Sequence, residues 1–292
     1  MATERKAAIV TGAASGLGRA MALGLVESGM DVVAVDRNAT ALAALTPATT
    51  GTPGSVLPVP ADLMQPDAFD RIVAAALEKF GRIDVLINNA GIGQASVRAD
   101  PRRNPIRFWE ATPDQWSRFL AVNATAPIMM ARAVVPHMLR ARQGRIITVT
   151  TSLGTMVRAG YLLYGASKAA AESATAIMAA DLAGTGVTAN VLVPGGVTNT
   201  PLVGDDAGER SKMLQPEIMV PPLLWLVSDA AAGVNARRFI AADWDRSLPA
   251  AQAARRRGRP SPGSGSRGCR SSRFERPSPI RPMTGSVRPP DH

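Results

Sequence analysis

The feature that most constrains the fold lies at the start of the chain, where a short apolar run leads directly into a glycine-rich loop. The run Ala7–Thr11 has the character of a buried strand, and Gly12, Gly16 and Gly18 follow it in the order Gly-x-x-x-Gly-x-Gly before an apolar, helix-forming stretch. Such glycines let the backbone turn tightly and approach a phosphate, while the helix N-terminus offers free N–H groups. The segment therefore predicts a strand, an anion-binding loop and a helix. Its candidate binding residues are Thr11, Gly12, Ser15, Gly16, Leu17 and Gly18.

Similar apolar runs recur along the chain and alternate with helical patterns up to about residue 245. This alternation predicts βαβ units, and so an α/β fold with a doubly wound parallel sheet, a Rossmann fold, in a single domain over residues 1–254. The predicted strands are Ala7–Thr11, Asp31–Val35, Ser55–Val59, Ile83–Ile87, Arg145–Thr150, Val187–Val193 and Arg238–Ala242.

The predicted helices lie between these strands. Pro66–Phe80 places apolar residues at helical spacing and is closed by Gly81, and two longer alanine-rich helices are predicted over Ala124–Arg142 and Tyr161–Ala183. In contrast, Gly, Pro, Asp and Asn interrupt every pattern in Gly195–Pro222, which predicts a mobile loop over the site.

The formal net charge of +10 suggests a nucleic-acid partner until it is divided along the chain. Residues 255–292 carry 10 Lys and Arg against 2 Asp and Glu, whereas residues 1–254 carry 23 against 21. The segment 255–292 is rich in Arg, Pro, Ser and Gly, which predicts a disordered basic tail. A solvated appendage or an altered reading frame explains such a tail better than a nucleic-acid arm, because Phe274 is its only aromatic residue.

Composition also bears on whether the protein has a structural metal site and on its location in the cell. Cys269 is the only cysteine and His137 and His292 are the only histidines, so no structural metal site is expected. No apolar run in the sequence reaches the roughly 18 residues that a membrane span needs, and the N-terminus does not resemble a signal peptide. We therefore expect a cytoplasmic protein without a membrane partner.

An acidic residue follows the second predicted strand and indicates which dinucleotide the loop binds. Asp36 lies 18 residues after Gly18, where a carboxylate can accept hydrogen bonds from the ribose hydroxyls of adenosine and repel a 2′-phosphate. The neighbouring Arg37 could instead pair with that phosphate. Because Asp36 precedes it, NAD is favoured over NADP.

These motifs together resemble the short-chain dehydrogenase/reductase superfamily over residues 5 to about 245. Thr11-Gly12-x-x-x-Gly16-x-Gly18 is similar to the cofactor loop of that family, and Asp62-Leu63 to its adenine-contacting pair. Further matches are the turn Asn88-Asn89-Ala90-Gly91, the active-site pattern Tyr164-Gly-Ala-Ser-Lys168, and Asn123, which the family uses to hold a water beside the lysine. The resemblance implies a hydride-transferring oxidoreductase that acts on an alcohol or carbonyl and forms a homodimer or homotetramer.

The Tyr164 and Lys168 pair has a chemical rationale of its own. The two residues are four apart on a predicted helix and so share one face, where an ammonium should favour phenolate and lower a tyrosine pKa that is ordinarily about 10. Tyr164 would then act as an acid or base near neutral pH, and Lys168 would also bind the nicotinamide ribose.

Two positions depart from the family pattern. The hydroxyl that polarises the substrate oxygen falls at Thr151 by register, but the neighbouring Ser152 has the commoner chemical identity, and both stay candidates. The segment beside the nicotinamide, Pro194-Gly195-Gly196-Val197-Thr198-Asn199-Thr200, contains one extra residue. The nicotinamide contact could therefore come from Thr198 or Thr200, while Pro194 and Gly195 form the turn and Val197 lies beside them.

The substrate itself is less well constrained than the cofactor. Its pocket is expected between Gln94–Trp109, Leu153–Leu163 and Thr200–Pro222, with Arg102, Arg107 and Arg158 as candidate anion contacts. Two alternatives to an enzyme are a catalytically inactive regulatory protein that binds the dinucleotide, and a nucleic-acid-binding protein that uses the tail. The combination of motifs favours the enzyme.

Overall fold

Residues 5–254 are described in a computed structural model of the chain. Within this range seven strands form one parallel sheet in the order β3-β2-β1-β4-β5-β6-β7, so that the direction of winding reverses between β1 and β4. This confirms the predicted doubly wound sheet. The strands are β1 (Ala7–Thr11), β2 (Asp31–Asp36), β3 (Val56–Pro60), β4 (Val85–Asn88), β5 (Gly144–Val149), β6 (Val187–Val193) and β7 (Arg238–Ile240).

Helices cover both faces of the sheet. The α-helices are α1 (Gly16–Glu27), α2 (Ala39–Ala43), α3 (Leu45–Ala48), α4 (Ala68–Phe80), α5 (Pro113–Leu120), α6 (Ala126–Ala141), α7 (Leu153–Met156), α8 (Ser167–Asp181), α9 (Val220–Val227) and α10 (Ala250–Ala253). Short 3-10 turns lie at Gln94–Ser96, Phe108–Glu110, Asp205–Ala207, Arg210–Lys212, Pro216–Met219, Asp229–Ala231 and Ala241–Asp243.

The core is divided by the sheet into two layers, because central parallel strands must be covered on both sides. On one face α1 and α9 contribute Leu25 and Leu223. On the other face α4, α6 and α8 contribute Ile72, Met130 and Ala179. The strands between them are almost purely apolar, and every residue of β1, β5 and β6 is buried.

Most predicted element boundaries agree with the structure to within one or two residues. The predicted bounds of β1 and β6 are those observed, and β2 extends one residue further to include Asp36. Helix α4 ends at Gly81, whose φ of 72° is a left-handed conformation that glycine adopts without strain.

One of the two long helical regions extends further than its pattern predicted, and both include a π-helical segment. Helices α5 and α6 are joined by a π-helical segment, Ala121–Thr125, and α8 is preceded by another, Leu162–Ala166. The continuous helix Pro113–Ala141 is long and apolar enough to cross a membrane by length and composition, which the separate apolar runs in the sequence did not indicate. Met130, Val134 and Met138 of this helix lie in the core against the sheet, so we assign it as a core helix of the fold.

The region Gly195–Pro222, predicted as a mobile loop, contains ordered turns in the structure. Thr198 and Leu214 form a parallel bridge, and the Arg210 guanidinium donates hydrogen bonds to Thr200 O at 2.8 Å and Val203 O at 2.9 Å. These contacts join residues within the segment to one another. The predicted disordered tail, residues 255–292, lies outside the described residues, and the division of the chain at residue 254 stays a prediction.

Candidate active site

A cavity of about 690 Å³ opens at the carboxyl edge of the sheet, where β1 and β4 diverge. Ligand sites in open α/β sheets form at this reversal point, because the loops leaving the two strands run in opposite directions. Almost all of the predicted site residues line this cavity. They are Gly12, Ser15, Gly16, Leu17, Asp36, Arg37, Asp62, Leu63, Asn89, Ala90, Gly91, Thr151, Ser152, Tyr164, Lys168, Pro194, Gly195, Val197, Thr198 and Thr200.

The glycine loop leaves room that a side chain would fill. A Cβ on Gly12, whose φ is +67°, would lie 2.8 Å from Ala90 Cα, and a Cβ on Gly18 would overlap Gly12 O. The first-turn N–H groups of α1 have no acceptor within the helix, and the side chain of Ser15 does not cap them. The loop and the helix start therefore fit the pyrophosphate of a dinucleotide.

Thr11, the last residue of β1, supports the glycine loop through buried hydrogen bonds. It is 2% exposed, and its hydroxyl accepts hydrogen bonds from Asn89 N at 3.0 Å and Ala90 N at 3.1 Å while donating to Ile87 O at 3.2 Å. Thr11 therefore joins the turn after β4 to the end of β1. Thr11 does not line the cavity, because its hydroxyl is engaged within the protein, and its part in cofactor binding stays a prediction. Gly18 likewise does not line the cavity and allows close packing instead.

The far end of the cavity is acidic. Asp36 accepts hydrogen bonds from Ala14 N at 3.1 Å and from Asn38 N at 3.0 Å, so its carboxylate is held at the end of β2. Arg37 is exposed beside it. Asp62 accepts a hydrogen bond from Met64 N at 3.0 Å, which fixes the turn after β3. This end of the cavity can accept hydrogen bonds from the hydroxyls of a ribose.

The turn after β6 closes another side of the cavity. Gly195 has a φ of +94°, and a Cβ there would lie 2.6 Å from Ile240 Cγ2, so the turn requires glycine. Thr198 is 4% exposed and donates to Gly196 O at 3.2 Å. The methyl group of Thr200 faces Gly16, where a Cβ would lie 2.9 Å from Thr200 Cγ2. The structure thus brings Thr200 against the cofactor loop.

Tyr164 and Lys168 lie on one side of the cavity. Tyr164 is in the π-helical segment that precedes α8, and Lys168 is in the first turn of α8. The Lys168 ammonium is 3% exposed and donates a hydrogen bond to Val149 O at 3.0 Å. This bond holds the start of α8 against the end of β5.

Asn123 does not reach the cavity surface. It is fully buried in the other π-helical segment, and its amide accepts from Ile92 N at 2.8 Å and donates to Ile92 O and Ser167 Oγ, each at 3.0 Å. A Cβ on Gly91 would lie 3.2 Å from both Asn123 Oδ1 and Lys168 Nζ. Asn123 therefore adjoins Lys168 and ties the loop after β4 to the start of α8.

The two candidate hydroxyls have different partners. The Thr151 side chain interacts with Tyr164, and this interaction lowers the tyrosine pKa in opposition to burial. Ser152 instead caps α7, because its Oγ accepts from Thr155 N at 3.2 Å and lies 2.7 Å from Thr155 Oγ1. The geometry therefore pairs Thr151, and not Ser152, with the tyrosine.

The expectation that Lys168 lowers the pKa of Tyr164 is wrong in this structure. Burial raises the pKa of Tyr164 to about 12, and the interaction with Thr151 opposes that rise only in part. Burial also lowers the pKa of Lys168 to about 8. Both shifts favour the neutral form of the group, since taking a charge out of water costs free energy.

For the substrate side of the cavity, the sequence predicted three ranges of residues and three candidate arginines. Arg102 and Arg158 line this side as expected, but Arg107 does not, and Arg118 on α5 joins them. Gln94 also lines it and is 4% exposed. Its Nε2 donates to Gly160 O, while its Oε1 has no hydrogen-bond partner. In the sequence, the only signal that Gln94 lines the cavity is its position shortly after the Asn-Ala-Gly turn.

No group of three or more His, Cys, Asp or Glu side chains within residues 5–254 is arranged to hold a metal ion. The polar groups that line the cavity are instead backbone amides, hydroxyls, an ammonium, guanidinium groups and the separate carboxylates of Asp36 and Asp62. This donor set fits a nicotinamide dinucleotide.

Comparison with known proteins identifies the family. The family model for short chain dehydrogenases matches residues 6–210, which is well over half of the chain. The chain belongs to the short-chain dehydrogenase family. It is therefore an oxidoreductase that transfers hydride between a nicotinamide dinucleotide and a CH–OH or C=O group, and the predicted family, fold class and reaction type are confirmed.

Similar short-chain dehydrogenases come from several bacteria. A 3-oxoacyl-[acyl-carrier-protein] reductase of Thermotoga maritima is 31% identical over 80% of this chain and 95% of its own length. The 1-deoxy-11-beta-hydroxypentalenate dehydrogenase of Streptomyces exfoliatus is 36% identical over 70% of this chain and 71% of its own. A crystal structure of 3-ketoacyl-(acyl-carrier-protein) reductase from Brucella melitensis, complexed with NADH, superposes with a TM-score of 0.70 at 28% identity, covering 81% of this chain and 96% of that one.

The closeness of Gly18 to Gly12 gives a first testable prediction. Replacing Gly18→Ala should abolish NADH binding, because the new Cβ would push Gly12 O and displace the loop. The overpacking should also destabilise the fold by roughly 1–3 kcal/mol. Fluorescence titration with NADH and thermal unfolding measure the two effects.

The matched control is Gly233→Ala, since a Cβ at Gly233 would have no atom within 4 Å. It should leave both NADH affinity and the melting temperature unchanged. Wild-type NADH affinity in the Gly18→Ala protein would contradict the assignment of this loop.

Proposed function

We propose that this chain is an NAD(H)-dependent oxidoreductase in which Tyr164 is the acid/base, Thr151 polarises the substrate oxygen and Lys168 supplies positive charge. The observation that carries the proposal is that Tyr164, Thr151 and the buried Lys168 line one cavity, with Lys168 one helical turn after Tyr164. Gly12 and Gly16 of the glycine loop line the same cavity.

The glycine loop and the start of α1 would hold the pyrophosphate, Asp36 the adenosine ribose, and Lys168 the nicotinamide ribose. The turn at Pro194–Thr200 would hold the nicotinamide through Thr198 or Thr200, and Asp62, Leu63 and Asn89–Gly91 would line the adenine and ribose side. When bound, the cofactor supplies or accepts the hydride. The protein must therefore provide the proton and stabilise the charge that develops on the substrate oxygen.

In carbonyl reduction the neutral Tyr164 phenol donates its proton to the substrate oxygen. The Thr151 hydroxyl donates a hydrogen bond to that oxygen, where negative charge develops. The Lys168 ammonium stabilises the phenolate that remains, and in alcohol oxidation the proton moves in the opposite direction. Asn123 acts indirectly, because its hydrogen bonds hold the loop at Ile92 and the helix at Ser167.

The substrate is proposed to be a carbonyl or alcohol that carries negative charge. Two observations support this choice over a purely hydrophobic ketone. Arg102, Arg118 and Arg158 line the substrate side of the cavity, whereas the lining carboxylates, Asp36 and Asp62, belong to the adenosine end. The unpartnered Gln94 Oε1 can in addition accept a hydrogen bond from a substrate hydroxyl. A panel of matched acids and methyl esters, assayed with NADH and NADPH, tests this substrate class.

Removing each hydroxyl in turn tests the catalytic assignment. Tyr164→Phe should lower kcat by about 10²–10⁴-fold, the usual contribution of a general acid. Thr151→Ala should lower kcat by about 10²–10³-fold, because a hydrogen bond to the developing charge is lost. NADH affinity should stay near wild type in both proteins.

Ser152→Ala is the matched control for Thr151→Ala, since it removes only a hydroxyl that caps α7. It should retain most of the activity. If Ser152→Ala is the inactive variant instead, the roles of the two hydroxyls are exchanged. If Tyr164→Phe keeps wild-type turnover, Tyr164 is not the acid/base. If the wild-type protein binds NADH but turns over no alcohol or carbonyl in a broad panel, the chain is a dinucleotide-binding regulatory protein.

The preference for NAD(H) over NADP(H) can be tested at Asp36. The wild-type enzyme should prefer NADH, because the Asp36 carboxylate would repel a 2′-phosphate. Asp36→Asn keeps an oxygen for the hydrogen bond from Ala14 N but removes the charge, so the preference should fall by about tenfold or more. The measurement is the ratio of kcat/KM for the two cofactors.

Arg37→Gln serves as the comparison variant, because Arg37 lines the same end of the cavity and could attract the phosphate. It should leave the use of NADH unchanged and weaken any residual use of NADPH. A wild-type preference for NADPH would overturn the assignment of Asp36.

The low pKa of Lys168 predicts a pH dependence. Because burial lowers this pKa to about 8, the ammonium is present below that pH and is lost above it. The kcat/KM for carbonyl reduction should therefore fall as pH rises through about 8. Lys168→Arg keeps a positive charge throughout this range, so whatever activity it retains should lack this decline. A wild-type profile that stays flat to about pH 10 would contradict the role of Lys168.

Self-association and a cytoplasmic location remain parts of the proposal. The apolar side chains Ile177 on α8 and Leu139 on α6 are 59% and 40% exposed, which supports pairing of these long helices between subunits. A homodimer or homotetramer would bury them, and light scattering distinguishes either from a monomer.

A further inference from the structure

A buried ion pair lies directly behind the catalytic groups. Glu172 on α8 and Arg238 at the start of β7 are 6% and 8% exposed, and Arg238 Nε donates to Glu172 Oε1 at 3.0 Å. Removing two charges from water is costly, and apolar residues of similar volume often give equal or greater stability at such a position. The presence of this pair is therefore not explained by stability alone.

The remaining hydrogen bonds of the pair go to two consecutive residues at the end of β5. Arg238 Nη2 donates to Thr151 O at 2.7 Å, and Thr150 Oγ1 donates to Glu172 Oε2 at 2.6 Å. The ion pair thus holds the backbone of Thr151 on the side away from the cavity, while Thr151 lines the cavity together with Tyr164.

The pair belongs to a longer polar seam between α8 and β5. Lys168 Nζ donates to Val149 O at 3.0 Å, and Thr175 Oγ1 donates to Thr148 Oγ1 at 2.8 Å. Lys168, Glu172 and Thr175 are separated by four and three residues and so share one face of the helix. Together with the bond from Arg238, these contacts fix four consecutive residues, 148–151, against the helix that carries the active-site lysine.

We propose that Glu172 and Arg238 are positioning residues, which fix the Thr151 hydroxyl relative to Tyr164 and Lys168 and touch neither substrate nor cofactor. The proposal rests on the proposed function of Thr151 and Tyr164. Misplacement of a reacting group by about 1 Å can lower a rate about 10²-fold, so a rigid attachment of Thr151 has a direct kinetic value.

The principal test is the double variant Glu172→Met/Arg238→Met in the full chain. It removes both charges together and leaves neither one buried without a partner. We expect kcat to fall about 10²-fold, with the Kd for NADH and the melting temperature close to wild type. A folded double variant with wild-type kcat would overturn the proposal, because a merely structural pair would be replaced by apolar packing without loss of activity.

A matched control removes a different ion pair. Arg82 and Asp84 form a salt bridge just before β4, at the opposite edge of the sheet from the cavity, with Arg82 Nε at 2.7 Å from Asp84 Oδ2. The double variant Arg82→Met/Asp84→Met likewise removes both charges of its pair and should leave kcat unchanged. A fall in kcat like that of Glu172→Met/Arg238→Met would show that loss of an ion pair remote from the cavity also lowers turnover, and would count against positioning.

A second pair of variants covers the case in which Glu172→Met/Arg238→Met does not fold. Thr150→Val removes the hydroxyl that binds Glu172 while keeping the volume, and Thr150→Ser keeps that hydroxyl. Thr150→Val should lower kcat at unchanged NADH affinity, and Thr150→Ser should restore it. Equal kcat in the two variants would overturn the proposal.

A measurement without turnover separates this proposal from the proposed function. Tyr161 and Tyr164 are the only tyrosines, so 13C labelling at the ring Cζ gives two signals, and Tyr161→Phe assigns them. In Glu172→Met/Arg238→Met the Tyr164 signal should move towards its position in Thr151→Ala. If it remains at the wild-type position, the ion pair does not orient Thr151. If it moves although Tyr164→Phe has no effect on turnover, the positioning is supported and the proposed catalytic role of Tyr164 fails.

Discussion

The active site depends first on the hydrogen bond from Lys168 Nζ to Val149 O. A buried ammonium needs an acceptor, and the last carbonyl of β5 provides one at the point where that strand reaches the cavity. The bond brings the first turn of α8 against the strand end. It thereby sets how far the Tyr164 phenol lies from the Thr151 hydroxyl, which belong to different elements of the fold.

Two π-helical segments then place the polar groups. Asn123 and Tyr164 each lie at the centre of such a segment, Ala121–Thr125 and Leu162–Ala166. A π turn contains an additional residue, so it rotates the side chains before it relative to those after it. Asn123 is thus free to bind both Ile92 and Ser167, while the helices on either side keep their apolar faces on the core.

Local patterns were sufficient to predict the sheet and the cofactor loop. The strands Ala7–Thr11 and Val187–Val193 are mainly apolar runs, and the short motifs around Gly12 and Tyr164 carry their chemistry within a few residues. The ion pair of Glu172 and Arg238 could not be predicted in this way, because 66 residues separate its members. The sequence also could not distinguish Thr151 from Ser152. Both residues follow the end of β5, and the direction of each side chain depends on the contacts that hold the backbone there.

The protonation of Tyr164 shows how burial can override a sequence argument based on neighbouring charge. Spacing alone suggested that Lys168 would lower the pKa of Tyr164, but Lys168 donates to Val149 O, and removal of the phenol from water raises its pKa to about 12. A phenol with a raised pKa keeps its proton at physiological pH but is a weaker acid than a free tyrosine, so proton donation needs a group that stabilises the phenolate. The Lys168 ammonium is charged below its pKa of about 8 and can supply that stabilisation. The proton that carbonyl reduction consumes is therefore present on Tyr164, whereas alcohol oxidation requires the tyrosine to lose its proton first.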